Sequence, residues 1–251
     1  MSGLSGFVSV ATGVVNVSLD PKLAWYLTRS TGLVLLVLFT FSTALGLLSA
    51  VSKAGGRVPR FVATDLHRRM SLMALVLLVV HVAAAIADNF VEITVVDALI
   101  PFRNSYRPVF LGLGTFAADL MLVLIVTSLL RHRMDVRAWR SIHLLSYAMW
   151  PMVVLHGLGT GFDAKKVPVV AVTAACVLLI VVLTTWRVLL VPTATGLART
   201  AALLGLPVIS LALVLWAVAG PLAPGWSKKA GTPPPPPKVS APSTGVAGGA
   251  P

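Results

Sequence analysis

Long runs of hydrophobic residues alternate with short polar segments along most of the chain. A helix needs ~20 residues to cross a hydrocarbon core of ~30 Å, and the longest apolar runs reach that length. Inside lipid every backbone polar group must find a partner within its own segment, so each run is predicted to be helical. The predicted spans cover residues 24–51, 67–88, 108–130, 139–160, 167–190 and 198–220.

The composition strengthens this picture. Of the 251 residues, 57% are hydrophobic and 11% are charged, whereas about a quarter of the residues in soluble domains are charged. The predicted fold class is therefore all-α, an integral membrane bundle of six transmembrane helices with a disordered, proline-rich C-terminal tail. We expect an extracytoplasmic segment at 1–22, a membrane domain at 23–221 and the tail at 222–251, where five consecutive prolines favour polyproline II.

The formal net charge of +12 is concentrated in two of the connections between spans. Short connections rich in lysine and arginine stay in the cytoplasm. This predicts a multi-pass protein of the plasma membrane with both termini outside the cytoplasm. The bilayer is its expected partner, and nucleic acid is not, because the charge follows the topology. The basic residues concerned are Lys53, Arg57, Arg60, Arg68 and Arg69, and then Arg131, Arg133, Arg137 and Arg140.

Several common types of site are not indicated by the sequence. The single cysteine, Cys176, lies in the fifth span and is expected to be a small buried side chain. The glycines of G-L-G-T-G-F at 157–162 close a predicted span instead of joining a strand to a helix, so they do not indicate a dinucleotide site. Gly112 and Gly114 are interpreted as small residues that allow close helix packing.

Two of the spans carry a pair of histidines each. His67 and His81 are 14 residues apart, and His143 and His156 are 13 apart. Both spacings correspond to ~20 Å along a helix axis. Because both spans start on the basic side, His67 should lie level with His143, and His81 level with His156. Two imidazoles that face each other at one depth can hold a metal axially, so these four residues are predicted metal ligands.

Haem iron suits such a pair, because imidazole is a common axial ligand and the macrocycle supplies the other four nitrogens. Zinc or copper sites more often include a carboxylate, a cysteine or a third histidine. The spacing is imperfect, since 13 residues miss a whole number of turns by about 140° on a straight helix. Pro151 is expected to disturb the winding there. Buried histidines with a purely structural role stay an alternative, and His132 is expected on the surface.

The sequence around these histidines resembles a known family. The relevant motifs are W-Y-L-T-R-S-T-G-L, L-H-R-R-M-S-L, P-F-R-N-S-Y-R-P, T-S-L-L-R-H-R and W-R-S-I-H-L-L-S-Y. With the paired spacings, the chain from about residue 25 to 186 resembles the ferric reductase-like transmembrane domain family. That family includes the membrane parts of NADPH oxidases and the haem subunit of a bacterial methionine sulfoxide reductase system. The resemblance implies two b-type haems, one on His67 and His143 at the cytoplasmic side and one on His81 and His156 at the outer side.

The implied function is that of a transmembrane b-type cytochrome, which carries electrons to an external acceptor such as ferric iron, a flavoprotein or a reductase partner. Oxidase-type members carry a cytosolic flavin and NADPH module, which this chain does not show. The donor is therefore expected to be a separate protein or a quinol. Whether the chain is itself an enzyme is left open, and no catalytic residue is predicted. One alternative is a quinol-oxidising haem anchor of a periplasmic reductase, with quinone or a partner's flavin as a further cofactor. Another, in a different class, is a histidine-lined metal-ion transporter or a structural helix bundle.

Haem propionates are anionic, so cations near each level are predicted to bind them. Arg68, Arg69 and Arg140 flank the inner pair, although membrane topology explains them equally well. Arg29 is predicted to serve the outer pair, because a cation inside an apolar span needs a partner. Arg107 is a further candidate at that side.

Asp119, Trp150 and Tyr147 are further candidates for a role near the histidines. Asp119, in the middle of the third span, is expected to be a protonated, hydrogen-bonded carboxyl, with proton compensation near a haem or quinone as the alternative. Trp150 and Tyr147 lie between the two histidine levels. They are expected either to pack against porphyrin or to make ordinary helix contacts.

Overall fold

The computed structural model describes residues 8–11, 14–17, 20–51, 59–88, 91–161, 163–190 and 196–233. Within them, six segments are long and apolar enough to cross a membrane, which makes the chain a multi-pass membrane protein with the predicted all-helical membrane bundle. These segments are built from the long helices α1 (Pro21–Val51), α2 (Arg60–Ala87), α4 (Pro108–Leu129), α5 (Val136–His143) with α6 (Ser146–Thr160), α7 (Val167–Leu190) and α8 (Gly196–Ala219).

The fourth span differs from the expected single helix. It is divided into α5 and α6 by a turn at Leu144 and Leu145. A 3-10 turn at Arg131–Arg133 precedes α5, and the Asp135 carboxylate caps α5 by accepting the backbone N–H groups of Arg137 and Ala138. Because an aspartate at this position satisfies donors that the helix leaves unpaired, it fixes where α5 begins.

Short elements that the hydrophobic pattern does not predict join or precede the spans. Strands β1 (Val8–Ala11) and β2 (Val14–Val17) pair antiparallel before α1. Helix α3 (Val95–Leu99) starts with a capping box, in which Thr94 and Asp97 bond each other's backbone N–H groups. Hydrogen bonds from Thr94 hold the pKa of the Asp97 carboxyl below its usual range.

The predicted tail starts with an ordered segment. Residues 222–233 form turns and the short helix α9 (Trp226–Lys229), because Trp226 packs against Phe110 and Trp216. The tail from residue 234 onward, Lys53, Arg57 and Phe162 lie outside the described residues.

Helix α1 is the centre of the bundle. It packs against α2, α6 and α7, while α4 packs against α6, and α8 packs mainly against α7. Helix α2, which carries His67 and His81, has almost no backbone contact with α5 or α6, which carry His143 and His156. The core includes Leu35, Phe39, Trp150 and Val154, and Cys176 is buried as expected. The arrangement leaves the histidines of α2 facing those of α5 and α6 across the space between α2 and the fourth span.

Arg107 is the largest of the fully buried side chains and holds the C-terminal segment against the bundle. Its guanidinium donates hydrogen bonds to the Gly159 carbonyl at 2.8 Å, to Ser227 Oγ at 3.2 Å and to Thr232 Oγ1 at 2.9 Å. Its backbone N–H donates to the Gly231 carbonyl. Arg107 is therefore a structural clamp, and every guanidinium nitrogen has a protein partner.

Replacing Arg107 by methionine should destabilise the protein by about 2–4 kcal/mol, because it leaves buried acceptors without their donors. The loss is measured as a lower midpoint of thermal unfolding in detergent and as faster proteolysis near residues 225–233. The matched control is Arg103→Met, since Arg103 is half-exposed and lies 3.7 Å from Asp97. Equal and small effects of the two substitutions would contradict the clamp.

Candidate metal centres

The structure places the four histidines in two pairs. The ring centres of His67 and His143 are 6.1 Å apart, and those of His81 and His156 are 6.4 Å apart. We call His67 and His143 the basic-face pair, because the arginine-rich connections lie at that end, and His81 and His156 the opposite pair. The 14 residues between the two histidines of α2 separate the levels by about 21 Å.

Hydrogen bonds to neighbouring helices orient three of the four rings. Nδ1 of His67 lies 2.9 Å from the Ser42 carbonyl oxygen, and Nδ1 of His81 lies 3.1 Å from Thr31 Oγ1. Ser42 and Thr31 both belong to α1. Nδ1 of His156 lies 2.9 Å from the Phe110 carbonyl oxygen on α4. A carbonyl can only accept, so Nδ1 of His67 and of His156 carries the proton and Nε2 keeps a free lone pair. That is the form in which histidine binds a metal.

His143 is oriented in a different way. Its Nδ1 is buried and has no hydrogen-bond partner among the described residues. Instead, its ring stacks on Trp139, with ring centres 5.0 Å apart and planes 23° apart. The guanidinium of Arg131 lies 4.5 Å from the Trp139 ring centre. At His143, ring stacking thus stands where the other three imidazoles have a hydrogen bond.

The turn between α5 and α6 helps to align His143 with His156. In a 3-10 turn each residue rotates about 120°, against about 100° in an α-helix. Each residue wound in this way therefore adds about 20° and reduces the misalignment expected for a straight helix. Pro151, which was expected to disturb the winding between the two histidines, lies inside α6, beyond this turn. The i to i−3 bonds run from the N–H groups of Leu145, Tyr147 and Ala148 to Ile142, Leu144 and Leu145.

Glycines provide room for the rings of the opposite pair. A Cβ added at Gly114 would overlap the His156 ring, and a Cβ added at Gly32 would lie 3.1 Å from His81 Cε1. The interpretation of Gly114 as a close-packing residue is therefore right, and its neighbour is an imidazole. Gly112 plays the same part for Phe102.

The donor set of each level fits a metal that needs only two ligands from the protein. The described residues contain no group of three or more histidine, cysteine or acidic side chains that could hold a metal ion. A nitrogen binds a metal at about 2.0 Å, and the centre of a five-membered ring lies about 1.1 Å from each nitrogen when its bonds are about 1.33 Å. Two axial imidazoles on one metal then have ring centres about 6.2 Å apart. Both pairs match this separation, so they fit a haem, whose porphyrin supplies the remaining four nitrogens.

A cavity of about 610 Å³ surrounds the opposite pair. Its volume lies within the range of cofactor and ligand sites. Its lining includes His81, His156, Arg29, Asp163 and Lys166. Such a cavity joins the imidazoles to charged groups at one end of the bundle.

Arg29 lies at this level, as expected, and has partners in the protein. Its Nη1 is 2.6 Å from Asp163 Oδ2, and its guanidinium lies 3.9 Å from the Trp25 ring centre. Burial by itself would raise the pKa of Asp163, but hydrogen bonds from Arg29 and Lys166 outweigh it and hold the pKa below its usual range. Asp163 therefore keeps its negative charge near neutral pH.

The other arginines suggested for propionate binding are not brought next to the histidines. Arg68, Arg69 and Arg140 are exposed at the basic end. Arg69 pairs with Asp65 one helical turn away. Arg107 is the clamp described above, and its three guanidinium nitrogens donate to Thr232, Gly159 and Ser227.

Trp150 and Tyr147 contact neighbouring helices. Trp150 is buried, and its Nε1 donates to Thr40 Oγ1 on α1 at 3.0 Å. The Tyr147 hydroxyl accepts a hydrogen bond from Arg187 on α7. Asp119 is half-buried in the middle of α4, where the expected hydrogen-bond partner of its carboxyl is not found among the described residues.

The sequence did not single out the residues that orient the imidazoles. Thr31 and Gly32 lie within the motif T-R-S-T-G-L, so a polar and a small residue in an apolar span were the available signal. Phe110 acts through its backbone carbonyl, which any residue carries. Ser42 has both its carbonyl oxygen and its hydroxyl within 3.1 Å of His67 Nδ1. Lys166 lies in the connection between α6 and α7, where nothing in the sequence links it to a histidine.

Residues 30–154 match the family model described as ferric reductase like transmembrane component. The match runs from α1 into α6 and includes His67, His81 and His143, while His156 lies two residues beyond it. No curated protein and no solved structure matches the chain. A transmembrane domain of this kind indicates a membrane component of electron transfer, and such domains generally bind haem. Residues 30–154 place the chain in the ferric reductase-like transmembrane family.

Proposed function

We propose that the protein is a transmembrane b-type cytochrome that carries single electrons across the membrane through two haems. His67 and His143 would hold one, and His81 and His156 the other. The observation that carries the proposal is the ring separation of 6.1 Å and 6.4 Å in the two pairs, which two axial ligands on one metal require.

The chain's own residues hold and shield the two levels. Nε2 of each histidine is the proposed ligand atom, and the acceptors on α1 and α4 keep the proton of the bonded rings on Nδ1. The haem supplies the one-electron chemistry when it is bound. Leu35, Phe39, Trp150 and Val154 belong to the apolar core, and Leu35, Phe39 and Val154 also line the cavity at the opposite pair. This core keeps protons and ions from following the electron.

The charged residues suggest where propionates would lie. At the opposite pair, Arg29 and Lys166 line the cavity, and both already contact Asp163, so a propionate would share these cations with it. At the basic-face pair, Arg68, Arg69 and Arg140 are the proposed partners. They are exposed, so each contributes little on its own.

We propose that the basic face lies in the cytoplasm and both termini lie outside it, because arginine-rich connections are retained on the cytoplasmic side. The membrane domain of the proposal is residues 23–221. The electron donor is a separate protein or a quinol, and the acceptor is an external species such as ferric iron, a flavoprotein or a reductase partner.

A histidine-lined ion transporter fits the geometry less well. Transporters need a polar pathway or broken helices near the middle of the membrane. Here the turn in the fourth span follows His143 near the basic end, and the middle of the bundle is the apolar core. Two imidazoles per level also leave most of the coordination sphere of a bare ion unfilled.

Liposomes containing the purified protein test this function. Ferricyanide is enclosed in the vesicles, and dithionite, which crosses lipid slowly, is added outside. The control vesicles carry the His81→Ala, His143→Ala double variant, which lacks one proposed ligand at each level. We expect the enclosed ferricyanide to lose its absorbance at least tenfold faster with the wild-type protein. A tenfold ratio of rates corresponds to a barrier difference of about 1.4 kcal/mol. Equal rates would reject transmembrane electron transfer.

A further inference from the structure

We propose that the two levels differ in reduction potential, that the basic-face level is the more easily reduced, and that Arg131 and Trp139 help to set the difference. This rests on the proposed function, because it concerns the haems that the histidines would hold. It adds an order of potentials, which the pairing of the histidines does not imply.

The first argument is the asymmetry of the hydrogen bonds to Nδ1. His67, His81 and His156 each have an oxygen within 3.1 Å of Nδ1, while the buried Nδ1 of His143 has no partner among the described residues. An acceptor at Nδ1–H makes an imidazole more basic and a stronger electron donor to its metal. A stronger donor favours the oxidised state. His143 lacks this effect, so the basic-face level should favour the reduced state.

The second argument is the charge beside His143. Arg131, Trp139 and His143 form a stack, with 4.5 Å from the guanidinium to the Trp139 ring centre and 5.0 Å from that ring to the imidazole. No carboxylate of the described residues forms an ion pair with Arg131. An added electron is stabilised by a cation held nearby, and more so where apolar rings replace water. The stack thus favours the reduced state as well.

The opposite level has a different charge balance. Arg29 is paired with Asp163 at 2.6 Å, and Lys166 contacts the same carboxylate at 2.9 Å. Asp97 and Asp88 also line the cavity around His81 and His156. Positive and negative charges therefore largely offset each other at this level. Both arguments lead to the same order of potentials.

A consequence follows for electron transfer. An electron that equilibrates between the levels spends most of its time at the basic-face level. Movement to the opposite level is then uphill in intrinsic potential. A membrane potential that is negative at the basic face drives negative charge away from it and offsets this step.

Optical potentiometry of the purified protein tests the proposal. The His81→Ala variant keeps only the basic-face level, and the His143→Ala variant keeps only the opposite level. We expect the basic-face level to have the higher potential. At any one applied potential its ratio of reduced to oxidised form should be about tenfold larger, which corresponds to 59 mV for one electron. A difference below threefold, or the reverse order, would overturn the proposal.

A pair of arginine variants tests the role of the stack. Arg131→Gln should lower the potential of the basic-face level by at least about twofold in the reduced-to-oxidised ratio, and leave the opposite level unchanged. Arg133→Gln removes the same charge from the same exposed turn, where Arg133 has no described ring contact, and should shift it less. Equal shifts, or none, would overturn the role of Arg131.

Haem content, measured on the same samples, separates this inference from the proposed function. Two haems per chain with equal potentials would remove only the inference. Protein that binds no haem would remove the proposed function itself.

Discussion

Replacing His81 by alanine is expected to lower the haem content of the purified protein from two per chain to one. His81 faces His156 at one level, and His67 faces His143 about 21 Å away along the same helix. The substitution removes one proposed ligand of the opposite level and leaves the basic-face level intact. Haem per chain is measured by the absorbance of the pyridine complex, and gel filtration in detergent shows that the protein stays folded.

His132→Ala is the matched control for this experiment. His132 is the remaining histidine of the chain, and it is exposed in the arginine-rich turn before α5. Its replacement should leave two haems. Retention of both haems in His81→Ala, or loss of both from a folded protein, would contradict the assignment of ligands to two separate levels.

The Gly114→Ala variant is expected to lose most of the haem of the opposite level. A Cβ at position 114 overlaps the His156 ring. The His156 ring cannot move away freely, because its Nδ1 donates a hydrogen bond to the Phe110 carbonyl oxygen at 2.9 Å. Phe110 lies on α4, one turn before Gly114. Glycine to alanine in a helix otherwise stabilises it by roughly 0.5–1 kcal/mol, so a loss of haem would come from the displaced imidazole. The measured quantity is again haem per chain.

Gly157→Ala provides the control for position 114. Gly157 directly follows His156, and a Cβ there would meet no atom within 4 Å. This variant should keep both haems. If the two glycine variants retained the same amount of haem, the close fit of His156 against α4 would be refuted.

The membrane helices could be predicted from the sequence because lipid leaves the chain few choices. An apolar run of sufficient length must satisfy its own backbone, so its length nearly determines the helix. The predicted span 167–190 and α7 (Val167–Leu190) have the same bounds. Helix α2 begins at Arg60, seven residues before the predicted span, and its apolar segment already starts at Phe61.

The elements that were missed depend on local bonds or distant contacts. The turn at Leu144 and Leu145 lies within an apolar stretch, and hydropathy does not distinguish i to i−3 from i to i−4 hydrogen bonds. Helix α9 forms where Arg107, more than a hundred residues earlier, supplies donors to Ser227 and Thr232. No periodicity in a proline-rich segment indicates such a partner.

The site shows the same division. The spacing of the four histidines predicts which of them share a depth, because the rise of a helix is constant. The acceptor of His156 Nδ1 is the backbone carbonyl of Phe110, which leaves no trace in the choice of residue. The stack of Trp139 on His143 joins residues one turn apart on α5, which helical spacing allows but does not require.

The most direct test of the account is the reduced-minus-oxidised absorbance spectrum of the purified wild-type protein, recorded together with its haem-to-protein ratio. Two six-coordinate, low-spin b-type haems per chain are the expected result, since each iron would have two imidazoles and no open position. A colourless protein, or one haem per chain, would contradict it.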